Sequence, residues 1–204
     1  MPLISTNSVK RINEIFHSLQ GEGYNTGTAA VFVRFSGCNL QCNFCDTQHN
    51  SGTVMTEREI VDAVMQYSLA PLIVLTGGEP SLFIDRDFVA MLKLLTGKRI
   101  AIETNGTNPL PDNIDWVTLS PKGAYPGGDT FPLVVTNCDE LKVVYTGQPL
   151  DPYFGITARH YFLQPCYCPD EEMRRQNIER TIQAVLHDPR WRLSLQTHRL
   201  VGIR

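Results

Sequence analysis

Three cysteines lie within one short stretch, Gly37-Cys38-Asn39-Leu40-Gln41-Cys42-Asn43-Phe44-Cys45-Asp46-Thr47. At C-x3-C-x2-C spacing they are too close together to reach three separate partners. One loop can instead turn all three thiolates toward a common centre, which is how cysteines hold an iron–sulfur cluster. Three ligands to a four-iron cluster leave one iron open to a cofactor or substrate. Two other readings compete. A disulfide plus a spare thiol suits an exported chain, and nothing here marks export. Zinc is the stronger rival, because Cys38, Cys42, Cys45 and His49 make three thiolates and one imidazole. Zinc sites, however, usually combine ligand pairs from distant segments.

The whole sequence narrows the choice. With 204 residues, 42% of them hydrophobic, it reads as a single domain over 1–204 with a core of useful size. Eighteen basic residues stand against twenty-one acidic ones, net −3, and no Lys/Arg run suggests a nucleic-acid partner. The start, Met1-Pro2-Leu3-Ile4-Ser5, has no signal-peptide pattern, and no apolar run is long enough to span a membrane. Six cysteines in such a chain favour metal or redox chemistry, with the cytoplasm as the expected location.

In chain order, Val9 to Phe16 alternates as a strand-like entry. Leu19-Gln20-Gly21-Glu22-Gly23 follows, its glycines letting a loop pack closely against something else. Ala29 to Ser36 is a near-continuous apolar run, as in a buried parallel strand, interrupted by Arg34. Thr56-Glu57-Arg58-Glu59 is a capping box opening a helix to about Leu69. Strands follow at 72–76, 99–103, 116–120, 140–145 and 161–164, with helices at about 85–96 and 170–187. The last helix shows Ile178, Ile182, Val185 and Leu186 as an apolar face, and a short strand at 192–196 comes after it. Segments 121–130 and 146–155 are too rich in Pro and Gly for packed helices, and no stable helix is expected after His198. A full eight-unit barrel typically needs about 250 residues. The expectation is therefore α/β: a partial, open TIM-like barrel of about six parallel strands with about three helices.

In such folds the working loops follow the C-terminal ends of the strands. The unusual residues fall there: the cysteine loop, then Gly77-Gly78-Glu79-Pro80, Glu103-Thr104-Asn105-Gly106 and Ser120-Pro121-Lys122. Taken singly, the second is an ordinary strand-to-helix turn and Lys122 a solvated lysine. Together with the cysteine loop, they resemble the radical S-adenosylmethionine (SAM) superfamily. That resemblance implies a 4Fe–4S cluster on Cys38, Cys42 and Cys45 whose open iron chelates SAM. It further implies SAM contacts from Gly78, Glu79, Glu103, Thr104, Asn105, Ser120, Lys122 and Gln164.

Within that superfamily the chain resembles the 7-carboxy-7-deazaguanine synthase family nearly from end to end. The residues that carry this are Leu19 to Gly23, Arg34, Cys45-Asp46-Thr47, Thr76 to Pro80, Ser120 to Lys122, Leu163-Gln164-Pro165 and Gln196-Thr197-His198. The resemblance implies a lyase of queuosine and 7-deazapurine biosynthesis that converts 6-carboxy-5,6,7,8-tetrahydropterin to 7-carboxy-7-deazaguanine and releases ammonia. It implies Mg2+ at Thr47, a hard ion content with few protein oxygens, and an electron donor such as flavodoxin or ferredoxin. A homodimer is implied as well. Substrate contacts are expected from Leu19, Gln20, Gly21, Glu22, Arg34, Thr76 and His198, and from a terminal carboxylate at Arg204 that folds back. No catalytic side chain is assigned, since the cluster and SAM generate the radical. Cys138, Cys166 and Cys168 stand outside the motif. A glycyl-radical activating enzyme and a zinc-stapled binding module are the alternatives.

Overall fold

The computed structural model describes residues 8–123 and 132–204. The N-terminal stretch Met1 to Ser5 and most of the loop read above over 121–130 lie outside the described residues. The elements in order are β1 (Val9–Leu19), β2 (Ala29–Phe35), β3 (Thr53–Thr56), α1 (Glu57–Met65), β4 (Leu72–Gly77), α2 (Arg86–Thr96), β5 (Arg99–Thr104), β6 (Trp116–Leu119), β7 (Asn137–Tyr145), β8 (Thr157–Pro165), α3 (Glu171–His187), β9 (Arg192–Leu193) and α4 (Thr197–Leu200). They build one nine-stranded sheet in the order β3-β1-β2-β4-β5-β6-β7-β8-β9. From β2 to β9 every neighbouring pair is parallel, whereas β1 runs antiparallel to β2 and to β3. The sheet is open, with β3 and β9 at its two ends.

The six expected parallel strands are present, and the short last strand joins them as a seventh. Four local expectations need correction. The strand β3 was hidden because its residues run directly into the capping box, where Thr56 is both last strand residue and N-cap. Helix α1 stops at Met65 rather than near Leu69. There the buried Lys98 ammonium donates to the carbonyls of Tyr67, Ser68 and Ala70, satisfying groups a longer helix would have bonded internally. Helix α3 turns Asn177 and Thr181 inward, while Ile182 and Leu186 are exposed. Asn177 donates to the Cys166 carbonyl at 3.0 Å, so a polar anchor rather than the apolar stripe sets the helix's rotation. Finally, α4 is a single helical turn where none was expected. The Thr197 amide and hydroxyl both donate to the Gly21 carbonyl at 2.9 Å, and this docking supplies what a turn this short lacks in isolation.

Because side chains alternate across a strand, each strand serves two layers. Outward, Val31, Val33, Phe35, Ile73, Leu75, Ile100 and Ile102 pack under Ile60, Val61 and Val64 of α1 and Phe88, Val89, Met91 and Leu92 of α2. A second outer cluster joins Leu119, Leu141, Val143 and Leu163 to Tyr153, Ile156 and Trp191. Inward, the strands change character along their length. Their N-terminal halves contribute Ala30, Phe32, Leu72, Val74, Ala101 and Trp116 to a compact apolar floor with Phe16. Tyr24 and His160 stack on this floor beside Trp116, with centroids 4.3 to 5.9 Å apart. Toward the C-terminal ends the inward positions become Arg34, Thr76, Glu103, Ser120, Lys142 and Gln164, and these wall a cavity.

The two faces of α2 give a direct check of the layering. Leu92 is fully buried and Leu94 is 71% exposed. Leu92→Ala is expected to cost about 2–5 kcal/mol in urea unfolding, and Leu94→Ala no more than about 0.5 kcal/mol.

Candidate active site

The cavity at the C-terminal ends of the parallel strands has a volume of about 540 Å³. Every cofactor, substrate and metal residue nominated from the sequence lines it, from Leu19 to Arg204. Four of its walls are loops leaving strand ends, as expected. The fifth is not: the loop after β1 enters from the opposite end of the sheet and lies across its inner face. Its Gly23 amide donates to Ser194 Oγ at 2.9 Å and its Tyr24 amide to Glu140 Oε2 at 2.8 Å. Both glycines are required by that approach. A Cβ on Gly21 would meet His198 Nδ1 at 2.1 Å, and one on Gly23, at φ +65°, would meet Glu140 Oε1 at 1.9 Å.

The cysteine loop is pinned at its base. The Gly37 amide donates to the His49 carbonyl at 3.0 Å, and the Glu79 amide donates to the Gly37 carbonyl at 2.9 Å. Gly78 lies so close that a Cβ there would sit 2.0 Å from the Gly37 oxygen. Cys38, Cys42 and Cys45 all line the cavity wall. The Leu40 amide points at Cys38 Sγ at 3.4 Å, the kind of N–H to sulfur contact that tunes iron–sulfur centres. Among the described residues no three His, Cys, Asp or Glu side chains converge on one point at metal-ligand distance. A single zinc takes converging ligands, whereas in a four-iron cluster each thiolate takes its own iron. Cys138 lies apart in the outer core, where burial, then the charges of Asp139 and Glu140, push its thiol up to about 12. Cys166 is buried but reaches the cavity wall, and Cys168 rests against Met173.

Glu79 is fully buried, and its carboxylate is committed to the protein itself. It accepts from Thr104 Oγ1 and the Asn105 amide at 2.7 Å and from the Ser81 amide at 3.1 Å. What Glu79 can offer a ligand is therefore its backbone. Asn105 in turn donates to Asn39 Oδ1 at 3.1 Å, joining the third strand-end loop to the cysteine loop. Lys122, which read as a solvated lysine when taken alone, is tucked in: its ammonium donates to Ser120 Oγ at 2.6 Å and stands 5.9 Å from the Phe44 ring. Burial, reinforced by the Lys142 charge, lowers its pKa. Gln164 Oε1 accepts from Ser194 Oγ at 2.9 Å.

The same cavity carries a cluster of charges. Glu22 pairs with Lys142 and accepts from Gln196 Nε2 at 2.9 Å. Burial alone would raise the Glu22 carboxyl, but Lys142 first, then Gln196 and His198, bring it down to about 2. Lys142 is also buried, yet the carboxylates of Glu103, Glu22 and Glu140 outweigh that and raise its pKa. Glu103 accepts from Gln20 at 3.0 Å, Lys142 at 3.4 Å and Thr76 at 3.4 Å. Nearer the mouth, Arg34 points into the cavity, donating to Glu14 at 2.9 Å and to Thr47 Oγ1 at 3.4 Å. A guanidinium has five N–H donors, so this leaves Arg34 some for a further anion. Arg204 reaches back to pair with Glu14, and its carbonyl accepts from Ser18 Oγ. Asp46 pairs with Arg199 of α4 at 2.7 Å.

Sequence reasoning assigned no role to Lys142, Gln196, Asp46 or Glu14, although Asp46 and Gln196 stand in motifs it singled out. Lys142 had a signal: in Glu140-Leu141-Lys142-Val143-Val144 two charges share one face of an otherwise apolar strand, and a buried strand tolerates that only where the face lines a site. The other three depend on the folded-back tail and the long β1 strand.

The comparisons agree with this geometry. Residues 32–127 match the radical SAM superfamily. A 7-carboxy-7-deazaguanine synthase from Bacteroides thetaiotaomicron is 54% identical over 196 residues, spanning 96% of this chain and 100% of that protein. One from Nitratidesulfovibrio vulgaris is 39% identical, spanning 95% and 98%. The crystal structure of QueE from Escherichia coli matches with a TM-score of 0.68 at 26% identity, over 92% of this chain and 93% of that one.

The close seat of Gly78 is testable. Gly78→Ala forces the cysteine loop away from the turn after β4, so anaerobic reconstitution should give well under half the parent's iron while far-UV circular dichroism stays unchanged. Full iron loading would show that the loop does not depend on this contact.

Proposed function

The chain belongs to the 7-carboxy-7-deazaguanine synthase family of radical SAM enzymes, and from that premise we propose that it converts 6-carboxy-5,6,7,8-tetrahydropterin to 7-carboxy-7-deazaguanine with loss of ammonia. The observation that carries this reading is a single cavity lined by the three cysteine thiols together with Arg34 and an ionised Glu22. The family implies a 4Fe–4S cluster and SAM; when bound, they supply a carbon-centred radical able to remove hydrogen from the substrate.

In this reading Cys38, Cys42 and Cys45 hold the cluster. Gly78 and Glu79 present backbone groups to the SAM amino group, while Glu103, Thr104 and Asn105 border its ribose. Ser120, Lys122 and Gln164 face its carboxylate, where a partly desolvated ammonium is an effective anion partner. The substrate side is complementary to a pterin. Glu22, an acceptor only, suits the N–H groups of a guanidine-like edge, and Arg34 suits a carboxylate. The Gln20 and Gly21 backbone, Leu19, Thr76 and His198 complete the slot, and Arg204 borders its mouth. Mg2+ would take Thr47 Oγ1, with its remaining ligands from substrate and water. Cys45 lies on an exposed part of the loop, which supports delivery of an electron by a small redox protein such as flavodoxin or ferredoxin. A homodimer follows the same family reading.

The decisive experiment is anaerobic turnover: reconstituted protein, SAM, a chemical reductant and the carboxypterin, with the deazaguanine and ammonia followed by mass spectrometry and a coupled assay. Product should form, and should vanish in Cys38→Ala, Cys42→Ala or Cys45→Ala but persist in Cys138→Ala. SAM cleavage without deazaguanine would direct the chemistry to another substrate.

Thr47→Ala tests the magnesium assignment. It should retain about four irons and lose most of the stimulation of turnover by Mg2+. Equal stimulation in both proteins removes Thr47 from the metal site.

A further inference from the structure

Among the described residues that line the cavity, the most deeply buried cationic side chain belongs to a residue with no role in the reading above. Lys142 projects inward from β7 with its side chain 4% exposed, less than the 14% of Glu22 and the 24% of Glu103 that it touches. Its ammonium donates to Glu22 Oε2 and, at 3.4 Å, to Glu103 Oε1. Those two carboxylates belong to different halves of the site. Glu22 sits on the loop assigned to the pterin, held otherwise by Gln196. Glu103 lies one residue before the end of β5, is assigned to SAM, and also accepts from Gln20 and Thr76 of the pterin side.

We infer that Lys142 is a positioning residue shared by both halves of the site: its one buried ammonium holds the carboxylates of Glu22 and Glu103 in binding orientation together. This rests on the assignment of Glu22 to the pterin and Glu103 to SAM made above. The physical reason is electrostatic. Without the ammonium, two acceptor-only groups face one another in a weakly screened cavity, with Glu140 a third carboxylate two residues away on the same strand. They then turn apart or take up a proton, and either change removes the acceptor geometry each ligand requires. A lysine serving only to stabilise the fold would affect both ligands through loss of folded protein; a positioning lysine lowers their affinities in the protein that is folded.

The test uses the cluster-reconstituted full chain. SAM affinity is read by isothermal titration, and KM and kcat with the carboxypterin by anaerobic turnover. Lys142→Met is expected to weaken SAM binding and to raise the carboxypterin KM, each by about ten- to a hundredfold. Iron content and kcat at saturation should stay within about threefold. In the cycle with Glu103→Gln the SAM losses should be non-additive, the double variant binding SAM about as well as the weaker single one. If Lys142→Met does not fold, adding Glu140→Gln removes the third carboxylate and the same readings are taken on that protein. A folded variant with both affinities within about twofold of the parent overturns the inference, and so does a loss confined to one ligand or a fully additive cycle. Should the parent protein bind SAM but not turn over the carboxypterin, the functional reading fails on its own. The SAM titration and its cycle then decide for Lys142: a non-additive loss supports its role, and unchanged affinity removes it.

Discussion

The buried carboxylate of Glu79 is the interaction on which the site depends. A fully desolvated carboxylate costs several kcal/mol unless its oxygens are satisfied, and here three donors from two segments do so: Ser81, Thr104 and Asn105. Their convergence fixes the exit of β4 against the exit of β5. The Glu79 amide, on the other side of the same residue, bonds the Gly37 carbonyl and so fixes the start of the cysteine loop. One residue thus places three strand-end loops relative to one another, which is why its side chain is unavailable to a ligand and its backbone is well placed for one.

The second constraint is the change of polarity along the inner face of the sheet. Period-two alternation sends every other residue inward, and in the lower half those residues are apolar and close the floor. Toward the C-terminal ends of the strands the same face of the sheet carries Arg34, Thr76, Glu103, Ser120 and Lys142. Each of these is polar in an otherwise apolar strand, so each lowers local strand stability in exchange for a wall group. The outer layers offset this cost, since the same strands bury Val33, Leu75, Ile102, Leu141 and Val143 completely.

Much of this was legible in the sequence because the informative signals are local. The cysteine spacing, the capping box at Thr56 and the apolar strand runs each name their element from neighbouring residues. Arg34 was legible as an intrusion into such a run, although its direction was not. The failures have the opposite character. Helix α1 is ended by Lys98, about thirty residues downstream, and α3 is rotated by Asn177 bonding the Cys166 carbonyl. The turn α4 exists because the Gly21 carbonyl receives Thr197. No periodicity within the segment records such partners. The family resemblance reached the cavity residues by another route, through matched motifs, and for that reason it named residues expected to face ligands and passed over Lys142, which contacts other side chains.

An open sheet has to manage two exposed ends and an unfilled interior, and here one loop does both. The segment after β1 starts near one edge of the sheet, crosses the interior, and bonds Glu140 on β7 and Ser194 just beyond β9. The tail then locks onto it from the far side through Thr197 and the Gly21 carbonyl, while Arg199 grips Asp46 of the cysteine loop. A closed barrel would hold these parts by strand pairing, leaving their spacing rigid. In this chain the loop after β1, the cysteine loop and the tail are joined by a few hydrogen bonds and ion pairs instead. This part of the cavity is therefore assembled by the same few ionic and hydrogen-bonded groups that line it, and a change in any of them acts on the shape of the cavity and on local order at once.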